Sequence, residues 1–222
     1  MLPRIPQWYV VMLGLMKVGA VPMPATTLCT PGDIEYRVNE AEAVLAITDM
    51  ENSDKVAETA GNCPTLEHLL LVGDERRGWV SYDEEMSQAS AALDNVEPTR
   101  SDDPLLIFFT SDTVGYPKMV LHTKASYGLA HVITAKYWHD LKATDLQWTL
   151  SDTGWAKAAY GKLFGQWTQG ASVLQHDARG RFDPVLTMKI MERYGVTSFC
   201  AHPMAYRMMA LEDLTKYDLR EL

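Results

Sequence analysis

Cysteine is scarce in this 222-residue chain: Cys29, Cys63 and Cys200 are the only three, and no two form a C-x-x-C pair. An odd, scattered set excludes a disulfide framework and a paired-cysteine zinc site, and it fits reduced thiols in the cytoplasm. Positive charge is also sparse, with 20 Lys and Arg against 29 Asp and Glu, a net charge of −9. Non-specific nucleic-acid binding needs clustered Lys and Arg to neutralise phosphates, so nucleic acid is excluded as a partner. A single nucleotide is not, because one local cation can serve it. No apolar run approaches the roughly 20 residues that a membrane span requires. The apolar stretch 8–16 is followed at once by Lys17 and reads as a buried helix, although Arg4 before it and Gly19-Ala20 after it superficially imitate a signal peptide. Internal repeats, low-complexity tracts and long Gly/Ser linkers are missing too. What remains, 47% hydrophobic and 22% charged residues, is an ordinary globular composition.

Helical and strand patterns alternate along the chain. Residues 8–18 read as a helix that Val21-Pro-Met-Pro24 ends. Thr30 is a predicted N-cap with Pro31 in the first turn, for a helix reaching about Glu42. Residues 43–48 and 69–72 are short apolar strands, with a weak helix over 54–60 between them. Residues 74–100 are polar apart from a short helical piece near 82–92, and the apolar periodicity lapses there, which marks them as a subdomain seam. A strand resumes over 105–109. Ala125, Leu129, Val132, Ile133 and Tyr137 then stand at helical spacing. Asp183-Pro184 opens another helix carrying Leu186, Ile190 and Tyr194, Gly195 closes it, and residues 196–201 form the next strand. Continuous apolar strands alternating with helices predict an α/β fold of mainly parallel sheets with helices on both faces.

The chemistry concentrates in Thr110-Ser-Asp-Thr-Val-Gly-Tyr-Pro-Lys118, directly after the strand over 105–109. Ligands of parallel sheets bind beyond the carboxyl ends of strands. A glycine-containing turn can present successive N–H groups as an anion nest, with Ser and Thr hydroxyls adding donors and Lys118 a point charge. The spacing is not that of the G-x-x-x-x-G-K-[ST] loop. On the residues alone, a phosphate site and a solvated turn both remain open.

The stretch resembles the T-S-G-T-T-G-x-P-K signature of adenylate-forming (AMP-binding) enzymes. The resemblance extends through Ile107-Phe-Phe-Thr-Ser111, Pro117-Lys-Met119, Ser126-Tyr-Gly128, Lys136-Tyr-Trp138, Ser151-Asp-Thr-Gly-Trp-Ala-Lys157, Phe199-Cys-Ala201 and Tyr206-Arg-Met208. Upstream, Leu2-Pro-Arg-Ile-Pro6, Gly19-Ala-Val-Pro22 and Asp33-Ile-Glu-Tyr-Arg37 fit as well, and the whole is similar to medium-chain acyl-CoA synthetases. The resemblance implies ATP-dependent activation of a medium-chain fatty acid through an acyl-adenylate to acyl-CoA, with ATP, Mg²⁺ and coenzyme A. It assigns Thr110, Ser111, Thr113, Gly115 and Lys118 to the ATP phosphates. Asp112 stands where the signature has glycine, adding a Cβ and a carboxylate beside an anion, and Val114 stands where it has threonine, removing a hydroxyl. Both changes are expected to weaken ATP binding, Asp112 the more.

Trp155 is assigned by the same resemblance to the wall of the acyl pocket. Asp152 or Thr153 would cap a helix in which Trp155, Ala159 and Leu163 share one face, and core packing of the aromatic is the competing reading. His122 would sit on a helix surface or approach a phosphate, and His202 stands at a strand end suited to a ligand contact. Cys200 reads as a small buried hydrophobe. Met188, Met191, Met204, Met208 and Met209 read as core filler, and Asp83-Glu-Glu85 as a solvated face. No metal-ligand or Ser/His/Asp constellation stands out.

The family resemblance also implies groups that lie beyond these 222 residues: a glutamate that helps hold Mg²⁺, an aspartate for the ribose, and a mobile C-terminal domain with a catalytic lysine. The chain is therefore expected to be a partial N-terminal AMP-binding domain over 1–222, inactive by itself, with no catalytic residue assigned. The alternative is a non-catalytic nucleotide-binding remnant of the same fold.

Overall fold

A computed structural model describes residues 1–94, 96, 98–110 and 115–222. Two compact units divide the chain, Met1–Lys124 and Ala125–Leu222. The boundary thus falls at Lys124–Ala125. The polar stretch 74–100, predicted as the seam, lies within the first unit, because its parts are tied back locally. Strand β3 (Val80–Ser81) pairs with β2 (His68–Val72). The Asp83 carboxylate accepts from Gly73 N–H at 2.9 Å, and Arg76 reaches Asp54 at 2.7 Å.

In the first unit, α1 (Pro6–Lys17) buries Trp8 and Met12, as a buried helix should. Helix α2 (Pro31–Glu40) starts as the sequence dictates. Thr30 Oγ accepts from Asp33 N–H at 3.2 Å, while Asp33 Oδ2 accepts from Thr30 N–H at 2.9 Å, a reciprocal capping box. The Thr30 hydroxyl donating to Asp33 Oδ2 at 2.7 Å, then the Thr30 N–H, with the Arg37 charge as a smaller cause, hold the Asp33 carboxyl below the usual carboxylate range. Strand β1 (Leu45–Asp49) runs parallel to β2. Helix α3 (Met50–Ala60) begins earlier than predicted, because the strand-end Asp49 caps it by accepting from Asn52 N–H at 3.3 Å. Ile34, Val38 and Val56 from the two helices pack with Cys29 and Cys63, and Ala46 and Leu69 of the sheet cover them. Each such aliphatic side chain, fully buried, contributes about 1.5–3 kcal/mol. Helix α4 (Tyr82–Gln88) carries Asp83, Glu84 and Glu85 exposed in its first turn, where the helix dipole favours them.

Strands β4 (Pro104–Thr110) and β5 (Lys118–Thr123) form an antiparallel pair. Only the first of these is expected from the sequence pattern. His122, expected on a helix surface or near a phosphate, lies on β5 opposite Leu106.

In the second unit, β6 (Leu146–Thr149) is flanked on both sides by parallel strands, β7 (Ser172–Val173) and β8 (Ser198–Cys200). Neither β6 nor β7 was predicted, since Leu-Gln-Trp-Thr and Ser-Val are too short and too polar to stand out. Helix α8 (Pro184–Tyr194) is capped by Asp183, which accepts from Leu186 N–H at 3.0 Å, and it ends at Gly195 with φ 62°. Its Met188 and Met191 pack with Trp148, Val196 and Met209 in the core, while Met204 is exposed and Met208 half-buried. The filler reading therefore holds for three of the five methionines.

The predicted helix over 125–137 is helical throughout, but wide π-type turns over Lys124–Leu129 and Thr134–Trp138 flank the short α5 (Ala130–Ile133). Extra residues in those turns rotate the expected apolar stripe. Leu129, Ile133 and Tyr137 face solvent, and Tyr127 and Ala135 are buried instead.

Candidate functional site

Strands β4 and β5 are consecutive and antiparallel, and so form a hairpin. Thr110 and Lys118 are register partners at its base. Alternation along the ladder puts Thr110, Phe108 and Leu106 on one face with Lys118, Val120 and His122, and puts Ile107, Phe109, Met119 and Leu121 on the other. Helix α2 lies against the second face: Arg37 sits over the Phe109 ring at 5.4 Å and Tyr36 meets that ring edge-on at 5.9 Å. Thr110 and Lys118 point away from that contact and are exposed. A threonine hydroxyl and a lysine ammonium across one rung suit an anion lying over the tip.

Gly115 has φ +113°, a conformation that side-chain-bearing residues rarely adopt, and a Cβ there would meet nothing within 4 Å. The glycine is needed for the backbone turn, not for packing space. Of the remaining predicted phosphate ligands, Ser111 and Thr113 lie outside the described residues, as do the two departures, Asp112 and Val114.

His122 does not join this group. Four residues along β5 from Lys118, it is displaced by about 14 Å at strand rise. It is half-buried against Phe108, rings 6.5 Å apart, and burial pushes its imidazole below the ordinary histidine range. His202 is likewise engaged in structure. It is the N-cap of α9 (Pro203–Met209), with Nδ1 accepting from Ala205 N–H at 3.3 Å. Cys200 is buried and free, as a small core residue would be.

Trp155 is half exposed, at 48%. It is the N-cap residue of α6 (Ala156–Lys162), and neither Asp152 nor Thr153 occupies that position. Asp152 instead accepts from Gly154 N–H at 2.8 Å in a turn ahead of the helix. Ala159 and Leu163 are buried at 0% and 2% exposure, so Trp155 does not share their packed face. That exposure removes the core-packing reading and leaves the ring accessible. A cavity of about 640 Å³ lies elsewhere, in the first unit among Leu2, Trp8, Met12, Pro22 and Ile34, and none of the predicted site residues lines it.

Sequence reasoning overlooked Tyr36. It donates its hydroxyl to the Pro117 carbonyl at 3.0 Å and stacks on Tyr116 with centroids 4.5 Å apart. The only available signal was its place in Asp33-Ile-Glu-Tyr-Arg37, and helical spacing could not say that this face would meet a hairpin 81 residues away.

Among the described residues, no group of three or more His, Cys, Asp or Glu could hold a metal ion, and no helix is long and apolar enough to cross a membrane.

The chain is 37% identical over all 222 residues to acyl-coenzyme A synthetase ACSM4, mitochondrial, of Rattus norvegicus. It is 38% identical over the same length to acyl-coenzyme A synthetase ACSM3, mitochondrial, of Homo sapiens. It spans 38% of the length of each. The fold matches an anthranilate CoA ligase, AuaEII, solved with anthranoyl-AMP, at TM-score 0.92 and 24% identity over 100% of this chain and 43% of that one. It also matches a Brucella canis acyl-CoA synthetase at TM-score 0.85 and 26% identity, covering 95% of this chain and 38% of that one. A family model for AMP-binding enzymes matches residues 1–222, and the chain belongs to the family of AMP-binding enzymes.

Proposed function

We propose that this chain carries the phosphate-binding part of an acyl-CoA synthetase, an acid–thiol ligase that activates a medium-chain fatty acid with ATP. In that reaction a carboxylate oxygen attacks the α-phosphorus and pyrophosphate leaves. The thiol sulfur of coenzyme A then attacks the acyl carbonyl, and AMP leaves. The observation that carries the reading is the hairpin base, where Thr110 and Lys118 are paired across the last rung and Gly115 sits at φ +113° within a family match spanning the chain. Thr110, Ser111 and Thr113 would donate hydroxyl hydrogens to β- and γ-phosphate oxygens, and Lys118 would neutralise part of their charge. Gly115 lets the backbone turn toward them. Trp155, half exposed at the start of α6, is assigned to the wall of the acyl pocket. Magnesium would arrive with the triphosphate it neutralises, and no step is assigned to it. The domain reading is a partial AMP-binding domain over 1–222.

The chain spans 38% of the length of its relatives, so the complete reaction is assigned to the family and not to these residues alone. A second reading, a non-catalytic nucleotide-binding remnant, is favoured by Asp112 and Val114 at positions where the signature has glycine and threonine. Cys29, Cys63 and Cys200 are buried and form no disulfide, which suits a reducing compartment, for which we propose the cytoplasm.

Calorimetry with ATP and pyrophosphate exchange with medium-chain fatty acids separate the readings. Binding without exchange is expected of the 222-residue chain. Exchange at the rate of a full-length synthetase would rule out the remnant, and absence of ATP binding would rule out both.

A further inference from the structure

One side chain outside the hairpin tip grips the chain on both sides of it. Tyr36 meets Phe109 edge-on, centroids 5.9 Å apart at 72°, just before β4 ends. It stacks on Tyr116, 4.5 Å apart at 21°, and donates its hydroxyl to Pro117 O at 3.0 Å, just before β5 begins. Tyr116 is 72% exposed, so burial does not hold it in place. The Pro117 carbonyl shares a planar peptide unit with Lys118 N–H, so fixing the one orients the other.

The helix supplying this grip is itself anchored. Ile34 and Val38 of α2 are in the core, the Thr30–Asp33 box caps its start, and the neighbouring Arg37 lies over Phe109 while donating to Asp33 O at 3.1 Å. Tyr36 therefore transmits a rigid reference point to both ends of the connection.

We propose that Tyr36 is a positioning residue for phosphate binding. It presets the two arms of the hairpin tip, Phe109-Thr110 and Tyr116–Lys118, before a nucleotide arrives. The proposal rests on the phosphate-loop reading above. Fixing one residue's backbone costs about 1–2 kcal/mol, so arms whose conformation is already set leave that much more of the binding energy to the nucleotide contacts.

The test uses the whole 222-residue chain with Tyr36→Leu, Tyr36→Phe and Lys118→Ala. Two quantities are measured: hydrogen exchange at the Tyr116 and Lys118 amides, and ATP affinity by calorimetry. Losing the hydroxyl bond and the stack together predicts about tenfold faster exchange at those amides in Tyr36→Leu, with ATP affinity falling about tenfold. Tyr36→Phe keeps the stack and is expected to recover part of both. Exchange at the α2 amides of Ile34 and Val38 should not change. Uniform acceleration there would mean general loosening and overturn the proposal, as would unchanged exchange at Tyr116 and Lys118. If Lys118→Ala loses affinity and Tyr36→Leu does not, the phosphate reading stands and the Tyr36 role is overturned. If wild type and Lys118→Ala bind ATP equally, or neither binds it, the phosphate reading falls and the Tyr36 role with it.

Discussion

Thr110 and Lys118 face each other across the last rung of the β4–β5 ladder, with the threonine hydroxyl directed at the lysine carbonyl at 3.5 Å. At that distance the bond is at the limit of significance, so the hydroxyl can turn toward an arriving anion at little cost. The pairing gives the lysine a fixed root while its ammonium remains at the exposed end of the strand.

Lys118→Ala is expected to weaken ATP binding by about tenfold to a hundredfold, the usual loss for a charged hydrogen bond of about 1.5–3 kcal/mol. Lys118→Arg, which keeps the charge, should retain most of the affinity. Calorimetry at two salt concentrations checks this, because a charge contact to phosphate weakens as salt rises.

Asp112→Gly is expected to tighten ATP binding, by about fivefold if the removed carboxylate repels the phosphates with about 1 kcal/mol through solvent. The expectation comes from the sequence, where glycine is the family's residue at that position. Unchanged affinity would mean that the phosphates do not lie over this loop.

Gly161→Ala should destabilise the second unit by about 1–3 kcal/mol, the cost of overpacking a tight site. An added Cβ would stand 2.9 Å from Thr149 Cγ2 and 3.1 Å from its Oγ1. Thr149 cannot move aside, because it is fully buried, donates to Gly161 O at 2.7 Å and accepts from Gln147 Nε2 at 2.8 Å. Urea denaturation measures the loss. Adding Thr149→Ser, which removes the clashing methyl, should recover part of it.

Acid should destabilise the second unit through His139. Burial, and then the Lys157 charge, lower its imidazole pKa below the ordinary 6.5. In the window between the folded and unfolded values the unfolded chain binds more protons, so stability is complete above about pH 6.5 and falls as pH drops through the folded value. Urea midpoints followed by tryptophan fluorescence at pH 7.5, 6.5 and 5.5 should show this decline, and His139→Gln should make it shallower. Equal slopes in the two proteins would remove His139 as a cause.

Local chemistry was legible wherever one short stretch carried the whole signal. Thr30-Pro31 with Asp33, and Asp183-Pro184 with Gly195, mark two helices whose caps the structure reproduces. The parallel pairing of β1 with β2 follows from two apolar runs separated by a helix. What failed depended on partners. Strand β5 was not recognised because Met119-Val-Leu-His-Thr123 is a strand only when β4 lies beside it. Trp155 was placed on a helix face by spacing with the cap at Asp152 or Thr153, yet Trp155 is itself the N-cap and is half exposed.

By itself the sequence determined the class of fold, the caps of two helices and the glycine, hydroxyl and lysine residues that follow β4, because each is legible in the local run of residues. Only the tertiary structure decided that the loop closes a hairpin, that Lys118 stands opposite Thr110, and that Tyr36 holds both arms from a helix 81 residues away in the chain. It also decided that Lys162 is buried, 1% exposed, with its ammonium donating to Gln175 at 3.3 Å. Such facts arise from long-range packing, where the free energy of a side chain is set by what the rest of the chain brings against it and not by its neighbours in sequence.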